Sequence, residues 1–457
     1  MRLTILGGGG FRVPLIYRAL RRRPELGIDE VVLQDDDPDR LRVIAAVLAA
    51  TGGDGPGVRL EKSLTTAVTG ADVVFSAIRV GGSAGRVRDE RRALDAGVLG
   101  QETVGAGGIR YALRTLPVAL RAARVIADVA PDSWLINFTN PAGLVTEALR
   151  AVLGDRVIGI CDSPIGLVRR ARTAAGIAGG PAAGIAGGPA AGDGGTDNSL
   201  IDYVGINHLG WLRSLEAGGV DRLPGLLADD TALAGFEEGR LFGGPLLRAL
   251  GCLPNEYAYF YYAAVDLVRE LTGSRTRGEV VADDQAAFYA AALDSPGAAA
   301  DLWDRTRRRR EETYLAETRD RGEQRDEADL SGGGYEEVAL DLISALCCGR
   351  PATLIVNVPN GSTVPQLPAD LVLEVPCVID RSGARPLPVA PLDLHQLGLI
   401  AAVRASERAV ISAVTRRSRA EALRAFAIHP LIGSPVIAGT LLDDLLIDEP
   451  GLQALLR

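Results

Sequence analysis

Near its start the chain runs from a short apolar segment, Arg2-Leu-Thr-Ile-Leu6, straight into four glycines, Gly7-Gly8-Gly9-Gly10. A helical stretch follows, with Pro14 in its first turn, where a missing N–H costs little. A strand that ends in residues without side chains, just before a helix, lets backbone N–H groups and the helix N-terminus approach an anion. Gly7 and Gly9 fill the first two positions of the GxGxxG fingerprint. Arg12 stands where the third glycine is expected, so the match is incomplete, and a plain tight turn is the rival reading. Val31-Val32-Leu33 reads as a second buried strand that ends at Asp35, where an acid can hold the two hydroxyls of a ribose. Such an acid favours NAD over NADP, although Asp36 and Asp37 offer neighbouring positions for the same role.

Further strands are expected over residues 72–78, 134–138 and 157–160, with helical patterns between them. Alternation of strands and helices points to α/β architecture with a doubly wound parallel sheet, so residues 1–165 read as one nucleotide-binding domain. Residues 176–191 repeat GIAGGPAA twice, a composition that packs into neither helix nor strand. The low-complexity stretch 176–195 is therefore read as a surface insertion, between a helix over 165–175 and a strand over 200–204. Residues 166–457 read as a second, mixed α/β domain that carries substrate and metal. In it, helices are expected over 331–348, 402–427 and 434–446, and strands over 353–357 and 371–375.

Composition excludes several functions. Of 457 residues, 47% are hydrophobic and 23% charged, which suits a sizeable core. The formal net charge is −9, and the one arginine-rich stretch, Arg305 with Arg307 to Arg310, is followed by Glu311 and Glu312. It reads as a solvated helix face, and no nucleic-acid partner is expected. No apolar run approaches the roughly 18 to 20 residues that span a bilayer, so no membrane role is expected. Five cysteines, an odd number without a CxxC pair, suit a reducing cytoplasm, and no leader-like segment precedes the first strand.

Polar residues cluster where strands are expected to end. Arg79 follows one strand, Asn137 and Asn140 another, Cys161 and Asp162 a third, and Asn207 and His208 a fourth. In an open α/β sheet those ends face the ligand crevice. Each residue alone is explained equally well by capping or loop hydrogen bonding. Cys161 alone reads as a small core residue, and His208 as a satisfied polar group. Together, a thiolate and an imidazole would leave a divalent ion positions open for substrate oxygens.

Seven segments in this order carry a resemblance. They are Gly7-Gly8-Gly9, Arg79-Val80-Gly81-Gly82, Gly100-Gln101-Glu102-Thr103, Asn137-Phe138-Thr139-Asn140-Pro141-Ala142-Gly143, Cys161-Asp162-Ser163-Pro164, Gly205-Ile206-Asn207-His208-Leu209 and Asn357-Val358-Pro359-Asn360. The chain resembles glycoside hydrolase family 4, in particular its 6-phospho-β-glucosidases, from Met1 to about residue 445. The resemblance implies a Rossmann-type domain like that of lactate and malate dehydrogenases. It implies NAD as cofactor, on Gly7 to Gly10, Asp35 and Asn137, and a manganese ion on Cys161 and His208. Tyr257, in Pro254-Asn255-Glu256-Tyr257, matches the family's catalytic base. Arg79, Asn140, Asn207 and Arg277 match positions near a small phosphorylated glucoside, and Asp162 stands where a general acid is found in the α-type members. Gly10 replaces the serine that often closes the family's glycine loop.

The implied chemistry is oxidation at C3 by NAD, loss of the C2 proton to Tyr257, elimination of the aglycone, water addition and re-reduction. Such enzymes are usually homodimers or homotetramers. A 6-phospho-α-glucosidase, a family member acting on unphosphorylated glycosides, and an NAD-dependent hydroxy-acid dehydrogenase are the alternatives.

Overall fold

The computed structural model describes residues 1–177, 200–314 and 334–456. Most of the glycine-, proline- and alanine-rich stretch, from residue 178 on, lies outside the described residues. Six parallel strands open the fold: β1 Arg2–Leu6, β2 Glu30–Gln34, β3 Gly57–Glu61, β4 Val73–Ser76, β5 Trp134–Asn137 and β6 Val157–Gly159. Their spatial order is β3-β2-β1-β4-β5-β6, that of a doubly wound dinucleotide-binding sheet, whose direction of progress reverses between β1 and β4.

The strands of the second half extend this sheet and do not found a new one. β7 Ile201–Ile206, β8 Leu209–Ala217, β9 Val220–Asp221, β10 Leu253–Pro254, β11 Ala352–Pro359, β12 Val372–Asp380 and β13 Gly383–Pro386 all belong to it. β11 joins β6 antiparallel, and the order continues β11-β12-β7-β8-β10. The sheet is therefore unbroken across residue 165, and one hydrophobic cluster holds residues from both sides of that point, from Ile5 and Phe75 to Trp211 and Leu354.

Strand alternation explains the layers. Leu3 and Ile5, Val73 and Phe75, Ile136 and Ile158 face one side, with Ile16, Leu20, Ile44 and Leu340 from the covering helices. Leu6, Val74, Leu135 and Val157 face the other, with Leu113, Leu116, Val145, Val410 and Leu442. One expected helix, over 402–427, is two, Leu394–Arg416 and Arg419–Ala427. Arg417 takes a left-handed φ of 56°, and Ser418 then caps the second helix by accepting from Glu421 N at 3.2 Å. Among the described residues no helix is long and apolar enough to cross a membrane.

Candidate active site

One row of backbone pairing crosses the sheet at the carboxyl ends of its parallel strands. Leu6 pairs Ser76, Ser76 pairs Asn137, Asn137 pairs Gly159, Gly159 pairs Asn357, Asn357 pairs Glu374, and Glu374 pairs Gly205. Polar residues and glycines replace the apolar core along this line. A cavity of about 1240 Å³ opens beyond it, from the glycine loop to Tyr257.

At one end Gly7 holds a left-handed φ of 81°, and a Cβ there would stand 2.7 Å from the Ala77 carbonyl oxygen. The loop folds over β2: Gly7 N and Gly8 N donate to Gln34 O at 2.9 and 2.7 Å. Gly9 N and Asp37 N donate to the two oxygens of Asp35 at 3.0 and 3.1 Å. Burial raises the Asp35 carboxyl above its ordinary value, against those two donors. Tyr289, far along the chain, donates to Gly9 O at 2.7 Å. The cradle free of side chains and the acid at the end of β2 suit a dinucleotide.

At the other end the two-residue turn Asn207-His208 joins β7 to β8. His208 has a φ of 66°, a left-handed conformation that costs a residue with a Cβ about 1–2 kcal/mol. Its ring lies flat on Tyr257, centroids 3.7 Å apart and planes at 3°. Nδ1 is 2.7 Å from the Thr103 hydroxyl, which leaves Nε2 as the remaining ring nitrogen. Burial pushes the imidazole down to about 4, so it is neutral at pH 7. Cys161 and His208 both line the cavity. Burial, then the Glu374 and Asp162 charges, push the Cys161 thiol well up. Among the described residues no group of three or more His, Cys, Asp and Glu is placed to hold a metal ion. A neutral imidazole and a thiol suit a divalent ion whose other positions belong to a substrate.

Burial raises the Tyr257 phenol, and Asp162 and Glu256 add to that, while a hydrogen bond from Tyr314 opposes it. Asp162 pairs with Arg12 at 3.2 Å. Glu256 accepts from Ser163 Oγ at 2.7 Å and is raised by burial among Glu238 and Glu237. Behind Cys161, Glu374 accepts from Asn357 at 2.9 Å and Tyr203 at 3.2 Å, and burial pushes it up to about 7.

Most residues singled out in the sequence meet here: Gly7, Gly10, Asp35, Arg79, Asn140, Cys161, Asp162, His208, Tyr257 and Arg277 line the cavity, with Gly8 and Gly9 completing the loop packed on Leu33 and Asp35. Asn137 does not reach it. Its amide nitrogen donates to Thr139 O, Ala142 O and Thr146 Oγ1, and its oxygen accepts from Thr139 N, so it braces the turn after β5. Asn207 likewise lies outside the lining, its oxygen accepting from Ala142 N at 2.9 Å.

Arg79 is ion-paired to Glu102, which Arg86 also holds at 2.5 Å. Burial opposes the Glu102 charge, but Arg79 and Arg86 outweigh it and keep the carboxyl well below its ordinary range. Two residues escaped the sequence reading. Arg12, which replaces a fingerprint glycine, lies over the rings of Tyr335 and Phe138 at 5.3 and 5.9 Å and reaches Asp162. Arg310 lines the cavity, whereas the stretch around it was expected to face solvent. Arg305, Arg308 and Arg309 do. The missed signal is helical phase, since the buried Trp303 shares a face with positions 307 and 310.

Comparison with known proteins fits this geometry. The profile of the family 4 glycosyl hydrolases matches residues 2–177, and that of their C-terminal domain matches residues 203–432. The chain belongs to glycosyl hydrolase family 4. Among relatives of this family 4 member, a probable 6-phospho-beta-glucosidase of Bacillus subtilis is 29% identical, over 97% of this chain and 95% of that one. A 6-phospho-alpha-glucosidase of Leptotrichia buccalis is 24% identical, over 97% and 96%. The solved 6-phospho-beta glucosidase of Thermotoga maritima, with NAD and glucose-6-phosphate, superposes at a TM-score of 0.80 with 25% identity, over 99% of each chain. A second structure of that enzyme holds manganese as well.

Proposed function

We propose that this family 4 enzyme hydrolyses 6-phospho-β-glucosides, with NAD and a divalent ion, manganese, as its resident groups. The observation that carries the reading is the meeting of Cys161, His208 and Tyr257 in the cavity that the glycine loop and Asp35 close at its far end. The names and bound groups of the relatives supply the substrate class.

When bound, NAD provides the hydride acceptor for sugar C3 and returns the hydride, so it is recycled. A divalent ion provides Lewis-acid polarisation of sugar hydroxyls beside the reacting carbons. The chain's own residues do the rest. His208, neutral at pH 7 and braced by Thr103, keeps a lone pair for the ion. Cys161 would give up its proton to hold the ion, a loss that burial and the Glu374 and Asp162 charges disfavour while the site is empty. Once C3 is at the ketone level, the neighbouring C2–H is acidic enough for a phenolate, and Tyr257 is the base. Burial works against that phenolate, and the Arg12 guanidinium favours it. Water, or Asp162 once it has taken up a proton, protonates the leaving group; Asp162 stands beside Arg12 at 3.2 Å. The Cys161-Asp162 sequence favours a second reading, α-glucoside hydrolysis by the same chemistry.

A chromogenic panel of α- and β-glucosides, each with and without 6-phosphate, tests both. Rapid cleavage of the 6-phospho-β compound only when Mn²⁺, NAD and reductant are all present is expected. Cleavage without NAD removes the redox-assisted reading, and preference for the α compound replaces β by α. Net NADH formation from a 2-hydroxy acid would make the chain a dehydrogenase instead. A homodimer or homotetramer in the cytoplasm completes the proposal. Exposed Val265, Leu394, Val436 and Ile447 and the free state of all five cysteines support it, and light scattering checks the assembly.

A further inference from the structure

Tyr257 is held from the cavity side by two rings. His208 lies flat on it, and Tyr314 bonds its phenol. Neither contact fixes the backbone that carries the ring, which is the single 3₁₀ turn Glu256–Ala258. A turn that short does not hold itself. Asn255 holds it. Its Oδ1 accepts from Ala258 N at 3.0 Å, and its own backbone N donates to Gly210 O at 2.9 Å.

Behind that turn runs a line of buried groups that the chemistry above does not use. Asn255 Oδ1 takes the Ala258 proton, so Nδ2 is the atom that faces Tyr203, and it donates to the phenol oxygen at 3.1 Å. Tyr203 in turn donates to Glu374 Oε2 at 3.2 Å, and Asn357 donates to Oε1 at 2.9 Å. All four side chains are buried. Burial, then the Glu374 charge, push the Tyr203 phenol well up, so it keeps the proton that it donates. Gly210 makes room for that phenol: a Cβ there would stand 2.2 Å from its oxygen. The far end of the line is the row of paired strand ends. Asn357 pairs Gly159, two residues before Cys161, and Glu374 pairs Gly205, three residues before His208. At the near end Asn255 stands two residues before Tyr257.

We propose that Tyr203 and Asn255 are positioning residues for proton abstraction: one buried hydroxyl ties the turn that carries Tyr257 to the strand ends that carry Cys161 and His208. The inference rests on the reading of Tyr257 as the base at C2, and it adds what sets that base's distance from the sugar. The strands before Cys161 and His208 are already joined by backbone pairing through β11 and β12. Tyr257 instead follows β10, two residues long and at the edge of the sheet. Without the tie the base drifts, and a displacement of about 1 Å costs on the order of 10²-fold in rate.

Kinetics on the NAD- and Mn²⁺-loaded enzyme, with a chromogenic 6-phosphoglucoside carrying deuterium at C2 or at C3, test this. Tyr203→Phe removes only the hydroxyl. Asn255→Ser keeps a capping oxygen and removes the amide donor. Each is expected to lower kcat about 10- to 100-fold and to leave KM and the dissociation constants for NAD and Mn²⁺ within about 3-fold. The C2 isotope effect grows in both, while the C3 effect does not, because only the proton step is slowed. The double variant loses no more than about 3-fold beyond the worse single one, since both break the same link. Ser406→Ala, which loses a buried hydroxyl bond to Ala425 O away from the cavity, keeps wild-type kinetics. Thermal unfolding above the assay temperature shows that each variant is folded. A fall in kcat with the C2 effect unchanged marks a purely structural role and overturns the proposal. So does wild-type kcat in both folded variants, or a loss of NAD or Mn²⁺ affinity that matches the loss of kcat. A wild type that washes no solvent deuterium into product C2 overturns the reading of Tyr257 as base itself, whatever the variants do.

Discussion

At the glycine-loop end of the cavity the polar groups already answer one another: Gly9 N and Asp37 N hold Asp35, and Tyr289 with Arg40 holds the Gly9 carbonyl. At the Tyr257 end several do not. Among the described residues Asn140 Oδ1 and Asn357 Oδ1 are buried without a hydrogen-bond partner, and Glu256 Oε2 has only the Arg170 guanidinium at 3.8 Å. Glu374 is pushed up to about 7 and His208 down to about 4. Buried polar groups are normally paired, and groups left waiting raise the energy of a folded chain until a ligand arrives. The difference teaches that the first end is built as a fixed mould, and the second as a site completed by what enters it.

The sharpest way to break this contrast is to remove a ligand residue. Cys161→Ala and His208→Ala are expected to lower turnover by about 10³ or more and to weaken Mn²⁺ binding, with NAD affinity untouched. Parallel loss of NAD affinity, by fluorescence titration, would show that the two ends are one unit. Tyr257→Phe follows, with turnover down by about 10² to 10³ and solvent deuterium no longer washed into product C2.

Next comes stability. Glu374 keeps its proton in the fold up to about pH 7, whereas the unfolded chain releases it near 4.5. The fold therefore loses stability as pH rises between those values, by at most about 3 kcal/mol in all. Glu374→Gln should flatten that decline in thermal unfolding of the metal-free protein between pH 5 and 8, and an unchanged slope assigns it to other groups. Smallest, Asp35→Asn should raise the NAD dissociation constant about 10-fold and narrow the preference over NADP, with stability little changed.

What was legible in the sequence follows the same division. Arg2–Leu6 and its glycines, and Glu30–Gln34 with Asp35, are local patterns, and the structure has them in place. Cys161, His208 and Tyr257 line one cavity only because the end of β6, the β7–β8 turn and the segment after β10 all open onto it, which no spacing reveals. Asn137 serves its own turn, a bond pattern that a strand-end amide adopts as readily as contact with a ligand. The break at Arg417 was visible in Ser418-x-x-Glu421, a helix-start signal hidden inside an apolar period. The continuity of the sheet was not, since β6 and β11 are adjacent in space and far apart in sequence.

The turn that carries His208 has just two residues between paired Ile206 and Leu209. A connection that short has no slack. Lengthening or shortening it by one residue would rotate the imidazole off Tyr257 and shift the register of both strands. Anyone grafting loops to alter aglycone preference should leave this corner at its natural length.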